Sequence, residues 1–218
     1  IIAEGKTDFV IMGRQMYADP EFANKTAAGK EDTIRRCVRC FQCYPGTREH
    51  ETDLPFDKRF SSEEEMRRIF NPASMGRCAI NPESNFRLYP ENYPLPESPR
   101  KVLIAGGGVA GAQAAITAAK RGNIVTLCEK SGRLGGTINF TDHDPDKIDL
   151  MNAKNVIIND LLACGAKVDL NTEATPEMIE EEKPDVLIIA VGADPVIPPV
   201  PGIAKAISAL DVYNYPEK

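Results

Sequence analysis

The hexapeptide GGGVAG, residues 106–111, stands between the apolar run KVLIA and the alanine-rich run AQAAITAAK. That order of strand, glycine turn and helix constrains the fold more than any other feature of the chain. Gly106, Gly108 and Gly111 form G-x-G-x-x-G, with Val109 and Ala110 inside the motif. The first glycine permits a tight turn, the second lets backbone approach a pyrophosphate, and the third lets the helix pack on the strand. The helix N-terminus then offers N–H groups and a positive dipole end to an anion. A second apolar run, NIVTLCEK at residues 123–130, completes a βαβ unit and places Glu129 18 residues beyond Gly111. A carboxylate there is placed to accept hydrogen bonds from a ribose diol. The plain alternative is a glycine-rich turn that binds nothing, and strand, helix and acidic residue together favour a dinucleotide site. Glu129 is followed by Lys130 and by GRLGG, whose Gly132, Gly135 and Gly136 make a second glycine cluster. It has room for a further stretch of an extended cofactor, which favours FAD over NAD.

The cysteines carry the second signal. Cys37, Cys40 and Cys43 recur every third residue, too tightly for ordinary disulfide pairing but suited to converging thiolates on one metal centre. With Cys78 as a remote fourth ligand they match the ligand set of an iron–sulfur cluster. The competing reading is a four-cysteine zinc site, which more often shows two separated C-x2-C pairs. The 34 residues between Cys43 and Cys78 do not exclude closure, because loop entropy grows by only about 0.6 kcal/mol per doubling of length. Cys128 and Cys164 read as buried thiols, and the only histidines, His50 and His143, as solvated side chains.

Along the rest of the chain, DFVIMG at residues 8–13 reads as a buried strand. DPEFANKTAAG at residues 19–29 reads as a helix with Asp19 as N-cap, Pro20 in the first turn and Gly29 as its stop. The chain opens without a methionine, so a preceding segment is expected, and an isolated strand at residues 8–13 would leave an unpaired edge. SSEEEMRRIF carries a capping box, Ser61 with Glu64 or Ser62 with Glu65, and predicts a short helix. Prolines crowd residues 82–99, which predicts an extended connection and a domain boundary near Ser98. MNAKNVIINDLLACGAKVDLN predicts a helix stopped by Gly165 and then a strand, and PDVLIIAVGA another strand. The balance of 26 basic against 32 acidic residues, with no basic stripe, argues against nucleic-acid or membrane-surface partners. No apolar run is long enough to span a bilayer and no signal-peptide layout opens the chain, so the reading is cytoplasmic.

Four stretches in this order resemble one family, the NADH:flavin oxidoreductases related to old yellow enzyme that add an Fe–S centre and an FAD/NAD(P)H module. This family includes 2,4-dienoyl-CoA reductase, trimethylamine dehydrogenase and the clostridial enoate and bile-acid reductases. DFVIMGRQMYADPEF resembles its last barrel strand and following helix, and IRRCVRCFQC with CAINP its cluster loop. VLIAGGGVAGAQAA with CEKSGRLGG resembles its FAD fingerprint, and VLIIAVGADPVIPPVPG the segment leaving the FAD domain. The resemblance implies an α/β chain made of the end of a TIM-type FMN barrel (residues 1–33), a cluster segment and linker (34–98) and the first part of a Rossmann-like FAD-binding domain (99–218). It implies that Gly13 and Arg14 help hold the FMN phosphate, and that Cys37, Cys40, Cys43 and Cys78 hold a [4Fe–4S] cluster. Gly106, Gly108, Gly111, Glu129, Arg133, Gly135 and Gly136 would bind FAD, with Val109, Ala110 and Lys130 in the same stretches. Members close the gap between the third and fourth cysteines with a much shorter loop than the 34 residues here.

The resemblance further implies that NAD(P)H reduces FAD, that electrons pass through the cluster to FMN, and that an activated C=C bond of a small molecule is reduced. Most of the barrel, with its substrate-contacting residues, lies outside the chain, so no complete cycle is expected from these residues alone. A non-catalytic electron-transfer or cofactor-binding module serving a separate barrel subunit is the second reading, and a zinc-stabilised interaction domain the third. A homo-oligomer fits any of them.

Overall fold

The computed structural model describes residues 2–43, 77–84 and 95–214. The chain divides into two compact units, Ile1–Tyr93 and Pro94–Lys218.

In the second unit four parallel strands form one sheet: β1 (Lys101–Ala105), β2 (Ile124–Glu129), β3 (Lys167–Leu170) and β4 (Val186–Ile189), in the order β3-β2-β1-β4. After Lys101, VLIA is apolar throughout because β1 has a neighbour on each edge and Val102 to Ala105 are all buried. In the flanking strands KVDL and VLII, burial is only partial. Helix α3 (Val109–Lys120) follows β1 and packs on β1 and β2 through Ala112, Ala115 and Ile116. Helix α4 (Ile148–Ala163) adds Ala153, Val156, Ile157 and Leu161 at helical spacing. Ile104, Ile116, Leu127 and Leu161 are the largest side chains of that core. Gly165, at φ +87, ends α4 as its sequence predicts. A further helix, α5 (Pro176–Glu182), begins at Thr175, whose hydroxyl accepts from the Met178 N–H at 3.3 Å. Beyond β4 come a 3-10 turn at Ile203–Lys205 and α6 (Ala209–Asn214).

The chain steps outward from β1 to β2 to β3 and then returns to β4 on the other side of β1. The order therefore reverses beside β1. In open parallel sheets, ligands bind at the carboxyl ends of the strands flanking such a reversal, where Gly106 follows β1.

The first unit contains α1 (Arg14–Ala18), α2 (Phe22–Ala27) and a 3-10 turn at Glu31–Thr33. The strand expected at residues 8–13 is not formed: Phe9 is 85% and Ile11 98% exposed. An apolar run supplies only the tendency, and a strand also takes a neighbour for its N–H and C=O groups. The expected helix over residues 19–29 is shorter, and Glu21 rather than Asp19 stands at its N-cap. The Asp19 carboxylate serves elsewhere. Its Oδ1 accepts from the Glu21 N–H at 3.0 Å, and its Oδ2 from the Arg35 N–H at 3.1 Å and the Lys25 ammonium at 2.7 Å. Gly29, at φ +65, does stop α2, with its own N–H on Thr26 O and that of Lys30 on Lys25 O. The helix predicted around Ser61 to Glu65 lies outside the described residues.

Candidate cofactor sites

The dinucleotide site is built from close backbone approaches. Gly106 turns away from β1 at φ +108, with its N–H on Cys128 O at 2.8 Å. A Cβ on Gly111 would lie 1.9 Å from Gly106 O, so only glycine lets α3 seat this close to the turn. Gly107 is constrained by side chains rather than backbone. Its Cβ would meet Leu134 Cδ2 at 2.7 Å and Glu129 Cβ at 2.9 Å. Gly108 is the opposite case, since nothing stands closer than Gly136 Cα at 4.0 Å and no side chain caps α3. The space at Gly108 is thus open beside an uncapped helix N-terminus, the setting an anion takes, with Val109, Ala110 and Gly111 in the first turn.

The second glycine cluster closes on the first. Gly135 donates its N–H to Gly107 O at 2.9 Å, and a Cβ on Gly136 would lie 3.1 Å from Gly108 Cα. Glu129 ties the two together: its carboxylate accepts from the Gly107 N–H at 2.7 Å and from the Ser131 N–H at 2.8 Å. Lys130 and Arg133 stand exposed at the rim, with the Arg133 guanidinium 3.9 Å from Asp142. The turn after β3 joins this rim, Asn171 N–H on Ser131 O and Thr172 N–H on Glu129 O. Gly107, Leu134 and Asn171 were not singled out from sequence. Three consecutive glycines signal the first, but the other two are ordinary residues placed by the fold.

Burial works to raise the carboxyl of Glu129, but hydrogen bonds from Ser131 and Gly107, with Lys130 nearby, outweigh it and hold the group below its ordinary value. A depressed carboxyl contributes stability that is present above the unfolded-state value, about 4.3, and is lost as pH falls through the folded value. Thermal melts between neutral pH and pH about 3 should therefore show a steeper acid limb for wild type than for Glu129→Gln. Parallel limbs would remove Glu129 from this role.

The cysteine site belongs to the first unit. Arg39 and Phe41, on either side of Cys40, have φ of +56 and +59, left-handed values that cost of order 1–3 kcal/mol each and persist only when surroundings impose them. Helix α1 touches the loop on either side of Arg39. Gln15 grips the loop with both ends of its amide, Oε1 accepting from Cys37 N–H at 3.0 Å and Nε2 donating to Arg35 O at 2.9 Å. The guanidinium of Arg14 lies 4.4 Å from the centre of the Phe41 ring. Asn81, next to the Cys78 turn, donates to Tyr17 O at 2.8 Å, and Ser84 Oγ accepts the Cys78 N–H at 3.0 Å. Nothing crowds Gly13.

Burial pushes the Cys78 thiol up, N–H groups of Ile80 and Asn81 pull it down, and Cys40 and Cys37 push it up again. Three of the four expected ligands are thus within electrostatic reach of one another, and Cys43 follows half-buried in the same loop. All are free thiols. Among the described residues, no three His, Cys, Asp or Glu side chains converge as a single-ion site. Zinc would hold thiolates about 3.8 Å apart, from bonds of about 2.3 Å in a tetrahedron, whereas a cuboidal cluster spreads them on its corners. Four free thiols are a donor set that either centre takes. Cys128 is buried in β2, Cys164 bonds Leu161 O at 3.0 Å, and His143 is exposed, so none joins either site.

Residues 101–158, which hold both glycine clusters and Glu129, match the family model described as FAD dependent oxidoreductase. An NADH oxidase of Thermoanaerobacter brockii is 35% identical over 207 residues, which cover 94% of this chain and 28% of that protein. A cinnamate reductase of Clostridium sporogenes is 36% identical over 214 residues, 97% of this chain and 28% of that one. The solved structure of 2-naphthoyl-CoA reductase with 2-naphthoyl-CoA superposes with a TM-score of 0.76 at 30% identity, covering 100% of this chain and 30% of its own. The chain belongs to the NADH:flavin oxidoreductase family. It spans under a third of the length of these relatives. Family membership accounts for the parallel α/β unit and for FAD as its cofactor class. Among the described residues, no helix is long and apolar enough to cross a membrane.

Proposed function

We propose that this chain is the cofactor-relay portion of an NAD(P)H-dependent flavin and iron–sulfur oxidoreductase that reduces an activated C=C bond, of enoate, enoyl-CoA or enone type. In this reading residues 1–33 end the FMN barrel, 34–98 carry the cluster and linker, and 99–218 bind FAD. The setting is cytoplasmic and the substrate a small molecule. The observation that carries the reading is the double glycine cradle, in which Glu129 joins Gly107 to Ser131 beneath an uncapped helix N-terminus.

FAD supplies hydride acceptance and single-electron release, and a [4Fe–4S] cluster passes electrons one at a time. The residues of the chain do the holding. The N–H groups at the start of α3 would take the pyrophosphate, and Glu129 would exchange part of its backbone hydrogen bonding for the ribose diol. Cys37, Cys40, Cys43 and Cys78 would ligate the cluster, on a loop whose shape Gln15 and Arg14 set from α1. Arg14, which lies over the Phe41 ring of that loop, would also meet the FMN phosphate. Reduction of a double bond is favoured by relatives that include a cinnamate reductase and a naphthoyl-CoA reductase.

Iron, sulfide, zinc and released flavin, measured on anaerobically purified chain, test this. The expected content is about four irons and four sulfides per chain, with FAD bound on titration. Zinc without sulfide would overturn the cluster, and failure to bind FAD would overturn the cradle.

A further inference from the structure

Behind the second glycine turn lies a polar group that no role above uses. Lys154, on the core-facing side of α4, is only 3% exposed, and its ammonium is paired with the Asp142 carboxylate. The same ammonium stands 3.4 Å from Asn139 Oδ1. Asn139 is itself buried, 7% exposed, and its Nδ2 donates to Leu134 O at 3.0 Å. Gly135 presses against this amide so closely that a Cβ would lie 2.3 Å from Asn139 Oδ1. Asp142 also faces Arg133 at 3.9 Å. An unbroken line of contacts therefore runs from Lys154 to the turn that touches Gly107 and Gly108.

The chemistry of that line is directional. An ammonium has donors only, so it selects the oxygen of the Asn139 amide and leaves the NH2 for Leu134 O. With the amide reversed, an oxygen would face the Leu134 carbonyl and the turn would be pushed off. A lysine is buried at a penalty unless it is paired and hydrogen-bonded, and here both partners belong to the segment that forms the cofactor rim. We infer that Lys154 is a positioning residue for the dinucleotide site: through Asn139 and Asp142 it holds residues 133–136 against the glycine-rich loop. This rests on the reading of that site as FAD-binding.

The test is FAD titration and thermal melting of the 218-residue chain as wild type, Lys154→Met, Asn139→Ala, the double variant and Leu161→Ala. Each of the first two substitutions should weaken FAD on the order of tenfold, as loss of contacts one step removed from a ligand does at metal sites. The double variant should be no weaker than the worse single, because both break the same line. Leu161→Ala, in the core at the far end of α4, should lower Tm and leave the FAD Kd within about twofold. Asn139→Ala spares the Lys154–Asp142 pair, so it reports on position even where Lys154→Met does not fold. An FAD Kd within about twofold of wild type in Asn139→Ala, or in a folded Lys154→Met, would make Lys154 a stability residue and overturn the inference. Absence of FAD binding by wild type would overturn the reading of the site itself, before any variant is compared.

Discussion

Gly111→Ala will abolish FAD binding and destabilise the second unit by about 3 kcal/mol or more, the range of overpacked backbone contacts. The added Cβ would lie 1.9 Å from Gly106 O and 3.1 Å from Gly106 C, and both are backbone atoms with no rotamer to change. Gly106 cannot retreat, because its N–H is held by Cys128 O and its own Cβ position is 2.3 Å from Ala190 O. Helix α3 would have to lift from β1, taking Ala112, Ala115 and Ile116 out of the core. Gly108→Ala is the matched contrast. Its φ of −68 suits any residue and nothing stands closer than 4.0 Å, so Tm should hold to within about 0.5 kcal/mol of stability. Yet the methyl occupies the space left for a pyrophosphate, and FAD affinity should be lost all the same. Melting curves and FAD titrations of the pair check this. A Gly111→Ala protein that melts like wild type would sink the steric argument, and a Gly108→Ala protein with unchanged FAD affinity would move the pyrophosphate elsewhere.

Those two glycines also show what a sequence can disclose. The βαβ unit is legible because local pattern and tertiary demand coincide: KVLIA is apolar on both faces and becomes the inner strand β1, and the alanine-rich run allows the close seat that Gly111 completes. Gly29 and Gly165 stop their helices where the left-handed φ is needed. The same rules miss Asp19, which has every mark of an N-cap but is drawn inward by Lys25 and the Arg35 N–H, partners that only folding brings near. DFVIMG fails for a related reason, since an apolar run specifies a strand only together with its neighbour. The cofactor rim is half legible. Gly135, Gly136 and Glu129 carry local signatures, while Lys154, inside IDLMNAKNVII, carries none. Its burial follows from where the 3-10 segment Gly136–His143 sets Asn139 and Asp142.

Cys78→Ala will cost the chain its four-iron cluster, whereas Cys128→Ala and Cys164→Ala will leave iron content unchanged. Spacing alone makes Cys78 the doubtful ligand, because 34 residues separate it from Cys43. Contacts argue the other way. The Cys78 turn is anchored at Ser84 and, through Asn81, at Tyr17 on α1, the helix whose Gln15 also grips Cys37. One short helix thus registers both cysteine segments, and the length between them need not disturb the ligand set. Burial holds the Cys78 thiol above its ordinary value, and the N–H groups of Ile80 and Asn81 offset part of this; at a cluster the same N–H groups would tune its potential. Cys128 and Cys164 have no such surroundings, one sealed in β2 and the other bonded to a helix carbonyl. Iron and sulfide analysis with low-temperature EPR of reduced protein reads the difference. Wild type should hold about four irons, and Cys78→Ala about three or fewer, with the reduced-cluster signal lost. Full iron content in Cys78→Ala would transfer the fourth ligand to another residue. Loss of iron in all three variants alike would mean that general instability, rather than ligation, governs cluster retention.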